Sequence, residues 1–156
     1  MESSVIAGRF FRARLRIHYS WIPAILLISW AVSTQYSVEY AFLFRIISGF
    51  IAGVLFLLVI ILREYLLIFM AIYKGIDVKA VTVFIFGGLP EVDQKTTSTS
   101  HELILSLTGF FINSIISGLF YFASVLFTDS NMMVYVITRW LGFLFFTLTL
   151  FHMKQS

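Results

Sequence analysis

The chain has no cysteine, two prolines and little charge: Asp, Glu, Lys and Arg make up 12% of its 156 residues. Without cysteine there is no disulfide, no thiolate metal site and no cysteine nucleophile, and the redox state of the compartment leaves no mark on the sequence. Soluble domains are about a quarter charged. So few charges beside a 60% hydrophobic fraction and a mean hydropathy of +0.95 exclude a soluble globular protein. What remains is an integral membrane protein, embedded in a lipid bilayer, with room for one small helical bundle as a single domain over residues 1–156. The net charge of +3 does not point to a nucleic-acid partner, because the basic residues flank apolar runs, where they set orientation.

Four spans satisfy the requirement of about 20 apolar residues to cross the hydrocarbon core. They run from about Tyr19 to Val38, Ala41 to Tyr73, Leu103 to Thr128 and Met132 to His152. The second carries Arg45, Arg63 and Glu64, and the fourth carries Arg139. Pro23, Ser29 and Trp30 interrupt the first apolar stretch, which favours a retained span over a cleaved signal. Arg9, Arg12, Arg14, Arg16, Lys74, Lys79, Lys95 and Lys154 all fall on one side of these spans. That asymmetry predicts a multi-pass protein of the cytoplasmic membrane with both termini in the cytoplasm. Two segments have strand character: FFRARLRI (Phe10 to Ile17) alternates basic and apolar residues, and VKAVTVFIF (Val78 to Phe86) is β-branched and aromatic before Gly87-Gly88. The expected fold is therefore an all-α membrane protein of about four transmembrane helices, with short β-strands at the cytoplasmic rim that could pair. The polar stretch QKTTSTS (Gln94 to Ser100) is expected to be mobile.

Arg63 and Glu64 stand out, because a charge at the centre of a membrane helix costs about 2.5–3.5 kcal/mol on insertion scales and demands a partner. Neighbouring residues diverge by about 100° around a helix, so the two are not expected to face each other. Their partners could come from an ion pair, a wet pocket or a neighbouring subunit. Arg63 lies about 16 Å along the helix from Lys74, too deep to snorkel easily. Arg139, one to two turns from the outer end of its span, is expected to reach outward. His18, His101 and His152 share no spacing of three or four residues, so no metal site is expected from them. Asn113 is expected to make a helix–helix hydrogen bond, with Gly109 and Gly118 allowing close approach. The 18 phenylalanines read as packing and lipid-facing residues, and no cofactor is indicated.

The order RIHYSW (Arg16 to Trp21), a span, a long span ending YKGI, then VKAVTVFIFGG, then a span with GFFIN (Gly109 to Asn113) resembles the site-2 protease family of intramembrane zinc metalloproteases over roughly residues 8–118. In that family the second span carries HExxH, two histidines that bind zinc around a glutamate that acts as general base. The resemblance places this motif on Arg63-Glu64-Tyr65-Leu66-Leu67, where only the glutamate survives. Neither a guanidinium nor a leucine has a lone pair to give to a metal. The family's third ligand, an aspartate in an NP...DG-type motif, has no counterpart, and Thr147 stands roughly where the asparagine would be. Asn113 matches the asparagine of the family's GPxxN-type segment near the substrate path, with Phe110 in place of the proline. The resemblance thus implies a degenerate, C-terminally shortened, inactive homologue with no metal and a vestigial Glu64. The function it implies is that of an accessory or structural subunit of a larger membrane complex, binding other integral membrane proteins through transmembrane helix packing. Two alternatives stand beside it: a regulatory pseudoprotease that sequesters transmembrane substrates, and a residual metalloprotease using Glu64 with non-standard ligands.

Overall fold

A computed structural model describes residues 4–10, 13–84, 87–92 and 99–155. Its elements run β1 (Ser4–Phe10), β2 (Ala13–His18), α1 (Trp21–Ser33), α2 (Phe42–Tyr73), β3 (Val78–Phe84), β4 (Gly87–Val92), α3 (Thr99–Leu126) and α4 (Met132–Gln155). Three helices are long and apolar enough to cross a membrane: α2, α3 and α4 over Met132–Phe151.

Helix α1 is shorter than the expected span of about Tyr19 to Val38, and the reason is local. The hydroxyls of Ser33 and Thr34 each donate 2.7 Å hydrogen bonds to the carbonyls of Trp30 and Ala31. Such side-chain bonds compete with helix propagation. The chain then turns, burying Tyr36 in a cluster with Tyr40 and Phe44. Pro23 is tolerated because it falls in the first turn, where backbone N–H groups have no helical partner.

Helix α2 has 32 residues and spans about 48 Å, longer than the ~30 Å hydrocarbon core, so it must tilt or protrude. Its buried stripe, Gly49, Ala52, Gly53, Phe56, Ile60 and onward, recurs at intervals of three and four. Against it α1 lays Trp21, Ala24, Ile28 and Val32. The helices approach so closely that a Cβ on Gly49 would overlap the Ser29 carbonyl, and one on Gly53 would stand 3.0 Å from Ile25 Cγ2. Helix α2 ends on Gly75, at φ +77°, where the Gly75 and Ile76 N–H groups donate to the carbonyls of Ile72 (3.0 Å) and Ala71 (2.9 Å). This paired left-handed cap, sealed by buried Ile76, reverses the chain into β3.

The strands form one four-stranded sheet in the order β1-β2-β3-β4, antiparallel except for the parallel central pair β2–β3. FFRARLRI is therefore not one strand: β1 ends at Phe10 and β2 begins at Ala13, so the basic-apolar alternation belongs to a hairpin. Two strands meet here as the alternation suggested, with Leu15 opposite Val81 and Ile17 opposite Val83. The double glycine opens a fourth strand instead of closing the segment. Ala13, Leu15, Val78 and Ala80 are buried, while Arg14 and Lys79 are exposed. Of QKTTSTS, residues 94–98 lie outside the described residues.

Helices α3 and α4 pair along their length. Asn131 caps α4 by accepting from the Val134 N–H at 3.1 Å. Ser117 Oγ donates to the Gly142 carbonyl at 2.8 Å across the pair. Phe145 joins the two halves of the bundle, meeting Phe56 of α2 edge-on and stacking on Phe120 of α3.

Candidate functional site

Arg63 and Glu64 lie ten and nine residues before the end of α2, and both are 2% exposed. Contrary to the helical-angle expectation, they form an ion pair with each other: the Arg63 guanidinium turns back so that Nη1 donates to Glu64 Oε1. Backbone directions diverge by about 100°, but two long side chains can close that gap when protein on every side denies them water.

A second donor comes from the sheet. The Gly88 backbone N–H of β4 donates to the same Glu64 oxygen at 3.0 Å. The hairpin β3–β4 thus runs back alongside the last turns of α2 and brings non-helical backbone to the level of Glu64. Backbone polar groups at that depth need protein around them, and the carboxylate satisfies this one. A Cβ at Gly88 would overlap the Glu64 carboxylate and crowd Val81 Cγ1 at 2.7 Å, so no larger residue fits without displacing the charge. Tyr65, the next residue of α2, turns toward β1, where a Cβ on Gly8 would stand 3.3 Å from its hydroxyl. The sequence motif therefore lies beneath the sheet.

Of the alternatives the sequence left open for these charges, an ion pair, a wet pocket or a neighbouring subunit, the structure shows the ion pair. Neither the resemblance nor the helical spacing pointed to the Gly88 N–H; the only signal was the double glycine after a strand-like run.

The zinc of the site-2 protease family does not fit these residues. Glu64 accepts from a cation and a backbone N–H, Arg63 adds a fixed positive charge, and half-buried Leu67 offers no lone pair. His18 is occupied elsewhere: its Nδ1 accepts from the Ser20 N–H at 3.1 Å and its ring lies 4.6 Å from that of Phe84. Among the described residues no three His, Cys, Asp or Glu side chains come together.

The other singled-out residues lie apart from this pair in different settings. Asn113 is fully buried in α3, and among the described residues neither atom of its amide has a hydrogen-bond partner, so the expected helix–helix bond is absent. Gly118 allows no close approach either, since a Cβ there would meet nothing within 4 Å. Gly142 of α4 does lie close to α3, since a Cβ there would stand 3.3 Å from the Tyr121 nitrogen. Arg139 is exposed and reaches back one turn, its Nη1 donating to the Tyr135 hydroxyl. Thr147 bonds within its own helix, donating to the Phe143 carbonyl at 2.9 Å. His152 belongs to α4, but its side chain lies outside the described residues.

No family model matches the chain, and no curated protein matches it. Among solved structures it is similar to the site-2 protease from Methanocaldococcus jannaschii, with a TM-score of 0.65 and 18% sequence identity, covering 95% of this chain and 63% of that one. The chain thus spans less than two thirds of that protein's length. With three helices long and apolar enough to cross a bilayer, it is a membrane protein with a site-2 protease-like fold.

Proposed function

We propose that this chain is a non-catalytic relative of the site-2 proteases that serves as an accessory or structural subunit of a larger membrane complex. The observation that carries the reading is the closed state of Glu64: a carboxylate committed to Arg63 and the Gly88 N–H is not positioned as a free base. The open face of α3 supports a partner that docks by helix packing, because Ser114 and Gly118 are small residues one turn apart and a Cβ on Gly118 would meet nothing. The basic residues support an orientation in which both termini and the sheet are cytoplasmic.

A second reading, a regulatory pseudoprotease that sequesters transmembrane substrates, is favoured by the sheet. Among the described residues its outer strands β1 and β4 each have one edge without a strand beside it, suited to receiving an extended segment.

Metal analysis of the purified protein, with Glu64→Gln as control, tests the absence of catalysis. Stoichiometric zinc that disappears in the variant would revive a metalloprotease using Glu64 with non-standard ligands. Co-purification in mild detergent separates the other readings: stable stoichiometric membrane subunits support the scaffold, and transient single-span chains support the sequestering regulator. A lone monomer on a native gel argues against both.

A further inference from the structure

The end of the bundle remote from the sheet holds a cleft of about 500 Å³ where the α1–α2 turn, α3 and α4 meet. Gln35, Tyr121, Met132, Tyr135, Arg139 and Phe143 are among its lining residues. Tyr121 and Phe143 are more than half exposed, so the apolar walls continue onto the surface that hydrocarbon chains cover. Arg139 stands seven residues into α4, about 10 Å along the axis from Met132.

Among the described residues nothing neutralises the charge of Arg139. Nη1 donates to the Tyr135 hydroxyl and the guanidinium carbon lies 5.7 Å from the centre of the same ring, and both contacts are to a neutral group. Among the described residues no carboxylate lies within 4 Å of it, and exposed Glu39 and Asp129 at this end of the bundle form no ion pair with any of them. The other cation of this end, Arg45, is engaged differently: its Nε donates to the Ser33 carbonyl at 3.2 Å. A guanidinium has five N–H donors in a planar fork, a geometry that matches phosphate oxygens. The Tyr135 hydroxyl, accepting from Arg139, still has its own proton to donate.

We propose that this cleft binds an anionic glycerophospholipid, with its phosphate on Arg139 and Tyr135 and an acyl chain along Tyr121 and Phe143. A free phosphate makes no use of the apolar wall. A transmembrane helix of another chain satisfies the guanidinium only if it carries an acid at this depth.

Native mass spectrometry of the full chain in mild detergent, with phosphatidylglycerol and phosphatidylcholine of identical acyl chains, tests the site. One well-placed arginine is expected to favour phosphatidylglycerol by about fivefold. Arg139→Gln should bring the ratio to about one, and Tyr135→Phe, which removes only a hydroxyl, should lower it partway. Arg14→Gln with Arg16→Gln, at the sheet end, should leave it unchanged. Equal retention of the two lipids in the wild type overturns the assignment, as does a preference that survives both Arg139→Gln and Tyr135→Phe or is lost in the sheet variant. Displacement of the lipid by inorganic phosphate at equal concentration also overturns it, and so does a cross-linker at Phe143 that captures protein instead of lipid.

Discussion

Gly49 of α2 and Gly118 of α3 are both glycines within long apolar helices, and they have opposite surroundings. A side chain at Gly49 would overlap the Ser29 backbone of α1, whereas one at Gly118 would project into open space. The singled-out charges also sit in different settings. In the α1–α2 half the buried pair Arg63–Glu64 is closed by its own members and a strand N–H. In the α3–α4 half Asn113 is buried without a hydrogen-bond partner among the described residues, and Arg139 leans on a neutral phenol. The first half thus neutralises its buried ion pair from within the chain. The second carries an open helix face and a charge that lipid or another protein can compensate.

The sharpest way to break this contrast is to open the ion pair. Removing one member of a buried pair leaves an uncompensated charge and costs about 3–5 kcal/mol, so Arg63→Met or Glu64→Leu should each strongly lower stability to denaturant in mixed micelles. The double variant should recover most of that loss, since two apolar side chains leave no charge to satisfy. A double variant as unstable as either single one would mean that the pair matters for more than mutual neutralisation. Next in size, Gly49→Leu should cost about 1–3 kcal/mol by forcing α1 from α2, detectable in the same unfolding assay. A buried amide without partners costs about 1–3 kcal/mol, so Asn113→Leu should raise stability within that range. A loss on Asn113→Leu would show that a water or a partner chain satisfies the amide. Smallest for the isolated chain is Gly118→Leu, within about 0.5 kcal/mol of wild type because nothing is displaced. Its effect should appear instead as loss of co-purifying membrane chains.

Much of the fold is legible in the sequence. Sustained apolar runs required membrane helices, since backbone groups in lipid must bond within their own segment. The strand character of Val78 to Phe84 followed from β-branched residues ahead of glycines. The failures were local competitions. FFRARLRI hid the change from β1 to β2, because alternation alone does not show where one strand stops. The first helix stopped early because Ser33 and Thr34 bond backward to carbonyls, a choice composition does not reveal.

By itself the sequence determined that this protein belongs in a membrane, that its second helix carries two charges where water is scarce, and that Arg63 and Leu67 have no lone pair to give. Only the tertiary structure decided how those charges are satisfied. Spacing along one helix sets the directions in which Arg63 and Glu64 leave the backbone. The Gly88 N–H comes from a strand 24 residues later, and whether it meets Glu64 depends on how closely that strand can approach the helix.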